Sequence, residues 1–143
     1  MKKFVLVAMM AGSLVSMEAF AACTTPTRLT AAAISALLGG NTVCVPTTTI
    51  PTMTWQELHQ GTSGGALIDY KRGPGPGPDP SATVGTWTVT GTGTGNSTVT
   101  HTYTGGNTYT YSVHGTGVVG SNHSFCAGAT EIVARVKLGG GAC

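Results

Sequence analysis

The sequence predicts a mainly β protein, an antiparallel meander curled into a small barrel or strongly bent sheet, with one short N-terminal helix and two disulfides. Three observations predict it. Threonines alternate with apolar or aromatic residues at a period of two over long stretches of the second half. About eight short runs of this kind are separated by turns bearing glycine, proline or asparagine. Four cysteines, an even number, sit in a chain with only 8% charged residues. A length of 143 residues suits a single domain. The formal charge of +2, spread over scattered basic residues, offers no stripe for nucleic acid, and it is too small to keep the chain unfolded by repulsion.

The elements follow in chain order. Lys2 and Lys3, an apolar run from Phe4 to Ser16, and Ala19-Phe20-Ala21 have the pattern of a signal peptide cleaved before Ala22. Residues 1–21 are thus expected to be removed, leaving one exported domain, 22–143, in the periplasm or outside the cell. The apolar run is shorter than the roughly 20 residues that span a bilayer, and no later segment approaches that length. Phe20-Ala21-Ala22-Cys23 also places a cysteine where a lipid is attached in lipoproteins, although Phe20 and Glu18 argue against that processing.

Thr30 is placed to cap a helix over Ala31–Leu38, which Gly39-Gly40 ends. Leu29, Ala33, Ala36 and Leu37 are expected on its inner face. Two or three turns of helix do not hold alone in water, so the segment must pack on the sheet. Strands are expected at Thr42–Val45, in a Pro-punctuated stretch from Thr47 to Trp55, at Thr54–His59 and at Ala66–Lys71. The segment Gly73 to Pro80 alternates glycine or aspartate with proline, which removes ladder donors, and reads as a solvated surface connector.

The clearest periodicity comes next. Gly85, Trp87 and Val89 alternate with Thr86, Thr88 and Thr90. Val99, His101 and Tyr103 alternate with Thr98, Thr100, Thr102 and Thr104. Tyr109, Tyr111 and Val113 alternate with Thr108, Thr110, Ser112 and His114. One face of each strand is therefore buried and the other wet. Gly105 and Gly106 permit a tight turn between the last two strands. Ser124–Cys126 and Glu131–Leu138 close the chain, with Ile132, Ala134, Val136 and Leu138 on one side. The threonine rows need no function, because threonine favours strands and tolerates water.

Gly85-Thr86-Trp87 resembles the Gly-x-Trp motif of lipocalins, and the helix followed by Gly-Asn-Thr-Val-Cys resembles small exported bacterial proteins of lipocalin-like build. The likeness covers these few residues, and lipocalins carry the motif on their first strand whereas this chain carries it after several. The resemblance implies a barrel and no particular chemistry.

Cysteine usage points to an oxidising compartment. Cys23, Cys44, Cys126 and Cys143 allow three pairings, of which Cys23–Cys44 and Cys126–Cys143 are expected because each brackets one local unit, the helix and a terminal hairpin. No Cys-x-x-Cys or Cys/His cluster has zinc-finger spacing, and no cofactor motif occurs.

Beyond residue 21 the chain keeps five basic residues and the four acidic residues Glu57, Asp69, Asp79 and Glu131, with no paired-carboxylate or nucleophile motif among them. His101 is the sharpest candidate, since alternation puts it on the inner face with Tyr103, Tyr109 and Tyr111, and with Trp87 as a wall. It reads either as a core histidine with an internal partner or as a polar group in a small-molecule pocket. Trp55, Glu57 and His59 share one side of a strand, with Asp69 and Lys71 on its neighbour, and are expected as an exposed face with a Lys–Glu contact. Glu57 and His59 also read as groups able to bind a metal or exchange a proton, and an enzyme would require Glu57, His59 and Asp69 to converge in one cleft. His114 and His123 flank a glycine-rich connection and are of the type that joins a divalent metal such as copper or zinc, although nothing in the sequence fixes their geometry.

The functional expectation is a secreted, non-catalytic binding module with a small apolar or aromatic ligand at Trp87, His101, Tyr103, Tyr109 and Tyr111. The alternative is a protein-interaction, inhibitor or structural component of the bacterial envelope with an extracytoplasmic protein partner. Neither involves a metal, a nucleic acid or a membrane span.

Overall fold

The structure, a computed structural model, describes residues 23, 27–45, 55–70 and 80–143. Among these residues, helix α1 (Ala31–Leu38) precedes eight strands: β1 (Thr42–Val45), β2 (Trp55–His59), β3 (Gly64–Asp69), β4 (Ala82–Thr90), β5 (Thr98–Tyr103), β6 (Thr108–His114), β7 (Asn122–Ala127) and β8 (Thr130–Lys137). Every strand pairs antiparallel with the next, and β1 pairs with β8, so the meander closes into a barrel. Val43 opposite Val136 and Cys44 opposite Arg135 form the seam. Closure leaves no free strand edge to recruit another chain. The expected signal segment, the stretch 47–54 and residues 73–79 of the connector lie outside the described residues.

Helix α1 is set by its ends. Thr30 holds an extended conformation (φ −74°, ψ 164°), and its hydroxyl accepts the Ala33 N–H at 3.2 Å. After Leu38, the Gly39 N–H donates to the Ser35 carbonyl, and Gly40 takes φ 75°, a region glycine enters without steric cost. The buried face is Ile34, Leu37 and Leu38, with Leu29 before it. Ala36, expected on that face, is exposed. Positions 34, 37 and 38 form the i, i+3, i+4 stripe, and the larger side chains claim it.

This stripe covers the end of the barrel where β2 turns into β3. The Gly40 N–H donates to the His59 carbonyl, and the His59 N–H donates to that of Asn41. The Asn41 side chain binds the Leu37 carbonyl through Nδ2 and the Gly139 N–H through Oδ1, tying helix, β2 and C-terminal tail together.

The alternation in the second half is observed as expected. Trp87, Val99, His101, Tyr111 and Val113 are buried inside, while Thr86, Thr88 and Thr90 face solvent. With Val43, Leu67, Phe125, Ala134 and Val136 they make the core. Three residues differ, the first being Tyr109, expected inside but 48% exposed near the start of β6. Leu138, expected inside, is 77% exposed because it follows the last residue of β8. His114 lies on the outer side of β6 yet is buried, because the N-terminal segment runs over it: the Leu29 N–H donates to the Val113 carbonyl, and the Gly115 N–H to that of Thr27.

Gly85 has a steric role. The β3–β4 register shifts between Leu67 and Ile68, and just past that irregularity β4 presses onto β5. A Cβ on Gly85 would meet the Thr102 carbonyl oxygen at 2.2 Å and the Tyr103 Cα at 2.9 Å. Both are backbone atoms, so any side chain there must force the strands apart.

The disulfides join Cys23 to Cys126 and Cys44 to Cys143, not the local pairs expected. Cys44 faces outward on β1. The tail returns over it, held by Thr42 Oγ1 donating to the Gly139 and Gly141 carbonyls and by the Cys143 N–H donating to Gln56 Oε1. Cys126 on β7 receives the N-terminal segment in the same way, and the Cys23 sulfur is committed to that bond. Each bond thus fastens a segment flanking the strands to the outside of the barrel. Local loop length says nothing about such a contact, which exists only once the sheet has closed.

Non-reducing peptide mapping is expected to recover these two pairs. Replacing Cys44 and Cys143 together by alanine frees a loop spanning 99 positions and should lower unfolding free energy by about 2–4 kcal/mol, measured by urea titration.

Candidate functional site

The interior polar cluster is built on β2 and β5, which are separated by two strands and so face each other across the barrel. On β2, Trp55, Glu57 and His59 point inward. The sequence reading placed them on an exposed face, yet Glu57 is 2% exposed and His59 fully buried. Their alternates Gln56 and Leu58 face outward and lie under the C-terminal tail, Gln56 through its bond to Cys143 and Leu58 beside Gly140. Both sides of β2 are therefore covered, and alternation alone could not say which was the interior. The expected Lys–Glu contact concerned Lys71, outside the described residues. The signal available was the large ring of Trp55, which marked the inner side.

His59 and His101 meet Nε2 to Nε2 at 3.0 Å. The His59 Nδ1 lies 3.2 Å from the Glu57 backbone carbonyl, which can only accept, so Nδ1 carries the proton. A neutral His59 then accepts at Nε2, and His101 must donate from its own Nε2. That assignment leaves the His101 Nδ1 as a bare acceptor. It is buried, has no hydrogen-bond partner, and faces Glu57 Oε2 at 3.9 Å. Tyr103 donates its hydroxyl to the same Oε2 at 2.9 Å. The Trp55 Nε1, also buried and without a hydrogen-bond partner, faces Glu57 and Tyr103. Of four such orphaned buried atoms among the described residues, two meet in this cluster.

Burial pushes the Glu57 carboxyl up to about 7, with the charge of Asp69 adding to it and the Tyr103 hydroxyl and Trp55 indole opposing it. Asp69 stands opposite Glu57 in the β2–β3 register, hence on the same face. Burial lowers His101 to about 4, and it takes His59 well below its ordinary value, with repulsion from His101 adding to the effect. Burial, then the nearby Glu57 carboxyl, pushes the Tyr103 hydroxyl up.

Rings surround the imidazole of His101. Trp55 and Tyr111 lie at centroid distances of 5.7 Å and Tyr103 at 6.3 Å. Tyr111 and Trp55 in turn pack on the edge of Phe125. Among the sequence candidates, His101, Tyr103 and Tyr111 are brought together. Tyr109 touches Tyr103 but is 48% exposed, at the rim rather than inside. Trp87 sits at the helix end of the barrel, donating its indole N–H to the Gln60 carbonyl at 2.8 Å and packing on His59. Glu57, His59, Trp55 and Phe125 are the members that the expected site lacked.

His114 and His123 lie apart from this cluster. His114 bonds Thr27 and Ser112 on the outer wall. His123 accepts the Gly117 N–H at Nε2 and contacts the Ser121 carbonyl through Nδ1, pinning the β6–β7 connection. Among the described residues, no group of three or more His, Cys, Asp or Glu side chains could hold a metal ion, and no helix is long and apolar enough to cross a membrane. No family model matches the chain, and neither a curated protein nor a solved structure does.

The buried groups set a pH dependence of stability. His59, His101 and His123 are all held below the ordinary value of 6.5, so the unfolded chain takes up protons before the folded one does. Their contribution is complete above 6.5 and is lost as pH falls toward the folded values. Glu57 works oppositely, costing stability as pH rises from 4.5 to about 7, where the unfolded chain has released a proton that the folded chain keeps. Three imidazoles outweigh one carboxyl, so stability should rise with pH between 4.5 and 6.5. Urea midpoints measured across that window check the sign.

Proposed function

We propose that this chain is a non-catalytic binding module, exported by its N-terminal segment to the periplasm or cell exterior, that takes a small ligand with an apolar or aromatic body inside the barrel at His101. Two disulfides, which persist in oxidising compartments, support the address. Eight strands make a barrel whose interior is either just filled by side chains or holds one small molecule, as in lipocalins.

The observation that carries the reading is the His101 Nδ1, a fully buried acceptor without a donor, 3.9 Å from the Glu57 carboxyl and ringed by Trp55, Tyr103 and Tyr111. A core built only to pack would satisfy that atom or replace it, since an unpaired buried polar group costs about 1–3 kcal/mol. A ligand group would complete it. The aromatic wall supplies apolar area, and the few polar atoms set orientation, the mixture expected of small-molecule sites.

Intrinsic tryptophan fluorescence, titrated with a panel of small apolar and aromatic compounds, tests the reading. Trp55 packs on His101 near the Glu57 side, whereas Trp87 packs on His59 at the helix side of the histidine pair, so Trp55→Phe should remove more of the response than Trp87→Phe. His101→Ala should weaken binding about tenfold, the loss of one buried hydrogen bond. A panel that leaves the emission unchanged would overturn the reading.

A further inference from the structure

Resting on that binding reading, we infer that the seat beside Glu57 and His101 takes a primary ammonium head group on a small apolar body. Glu57 Oε2 and His101 Nδ1 are acceptors 3.9 Å apart, and both are free to receive further hydrogens. A carboxylate offers about four lone-pair sites, of which Tyr103 uses one. A hydroxyl carries a single donor and satisfies one of the two atoms. An ammonium carries three and satisfies both, leaving the Trp55 N–H to close on the remaining carboxylate oxygen. The Trp55, Tyr103 and Tyr111 rings lie around the His101 imidazole, and aromatic rings attract a cation that reaches a face. The basic side chain within ion-pair distance of Glu57 among the described residues is His101 alone, and its tautomer makes it an acceptor rather than a counter-ion. Among the described residues no cation faces this carboxyl, and the ligand would bring one.

Binding is linked to a proton. The titratable groups facing Glu57 are His59 on its own strand, Asp69 from β3, His101 and Tyr103 from β5, and Tyr111 from β6. The histidines are held neutral and the tyrosines protonated near neutral pH, while Glu57 itself titrates at about 7. The ammonium needs the ionised carboxylate, so below that value each molecule bound must displace the Glu57 proton.

Calorimetry with 2-phenylethylamine and 2-phenylethanol, which share a body and differ in the head group, tests this. At about pH 8 the amine should bind at least about tenfold tighter than the alcohol. The preference should shrink toward parity as the pH is lowered to about 5, with about one proton released per amine bound below pH 7, read from two buffers of different ionisation enthalpy. Glu57→Gln should abolish the preference of the amine over the alcohol. The proton count on the unaltered protein decides the matter even if that variant does not fold. Equal binding of both compounds without proton release would overturn the ammonium assignment and leave the pocket standing, whereas binding of neither would overturn both.

Discussion

One hydrogen bond, between the Nε2 atoms of His59 and His101, organises the barrel interior. It spans from β2 to β5. Two neutral imidazoles can share only one proton in such a contact, so once the Glu57 carbonyl fixes the tautomer of His59, that of His101 follows, and with it the character of every atom further along. The line ends on a bare nitrogen facing a carboxyl. Polarity in this core is consequently directional: both imidazole N–H groups are used toward the helix end, and the His101 acceptor and the Trp55 N–H are left toward Tyr103.

The remainder of the molecule protects that arrangement. Ile34, Leu37 and Leu38 seal the end nearest His59, and Trp87 closes the gap beneath them by bonding the Gln60 carbonyl. Water kept from these rings cannot hydrate an imidazolium, which is why burial dominates the lowered affinity of both imidazoles for protons. The close approach of β4 and β5 at Gly85 lies beside Tyr103, so a spacing that only glycine permits sits next to the residue whose hydroxyl reaches Glu57. The Gly-x-Trp triplet thus has separate physical reasons at each end, a backbone contact at Gly85 and an indole bond at Trp87.

How much was legible in the sequence depended on whether one face of a strand was marked as wet. In β4, β5 and β6 the threonines mark it, and the inward positions of Trp87, His101 and Tyr111 follow directly. The cap and stop of α1 were equally plain, because Thr30 and the two glycines act through local backbone geometry. Strand β2 carried no such mark. Glu57 and His59 look like surface residues until the tail is seen covering Gln56 and Leu58, and this covering depends on residues 139–143, far away in the chain. His114 was misleading for the same reason, being outward but covered by Thr27 and Arg28. The disulfide pairing shares this origin, since contacts made by the segments flanking the strands on a closed surface leave no periodic trace.

The interleaving of the two covalent links constrains assembly. As the chain is made from its N-terminus, Cys23 and Cys44 are the first thiols to appear, and they are not partners. Cys44 must wait for Cys143 at the far end of the sequence. An oxidant acting during emergence would lock the wrong couple, so correct oxidation demands either that the wall form before the sulfurs react or that an isomerase exchange the early bond.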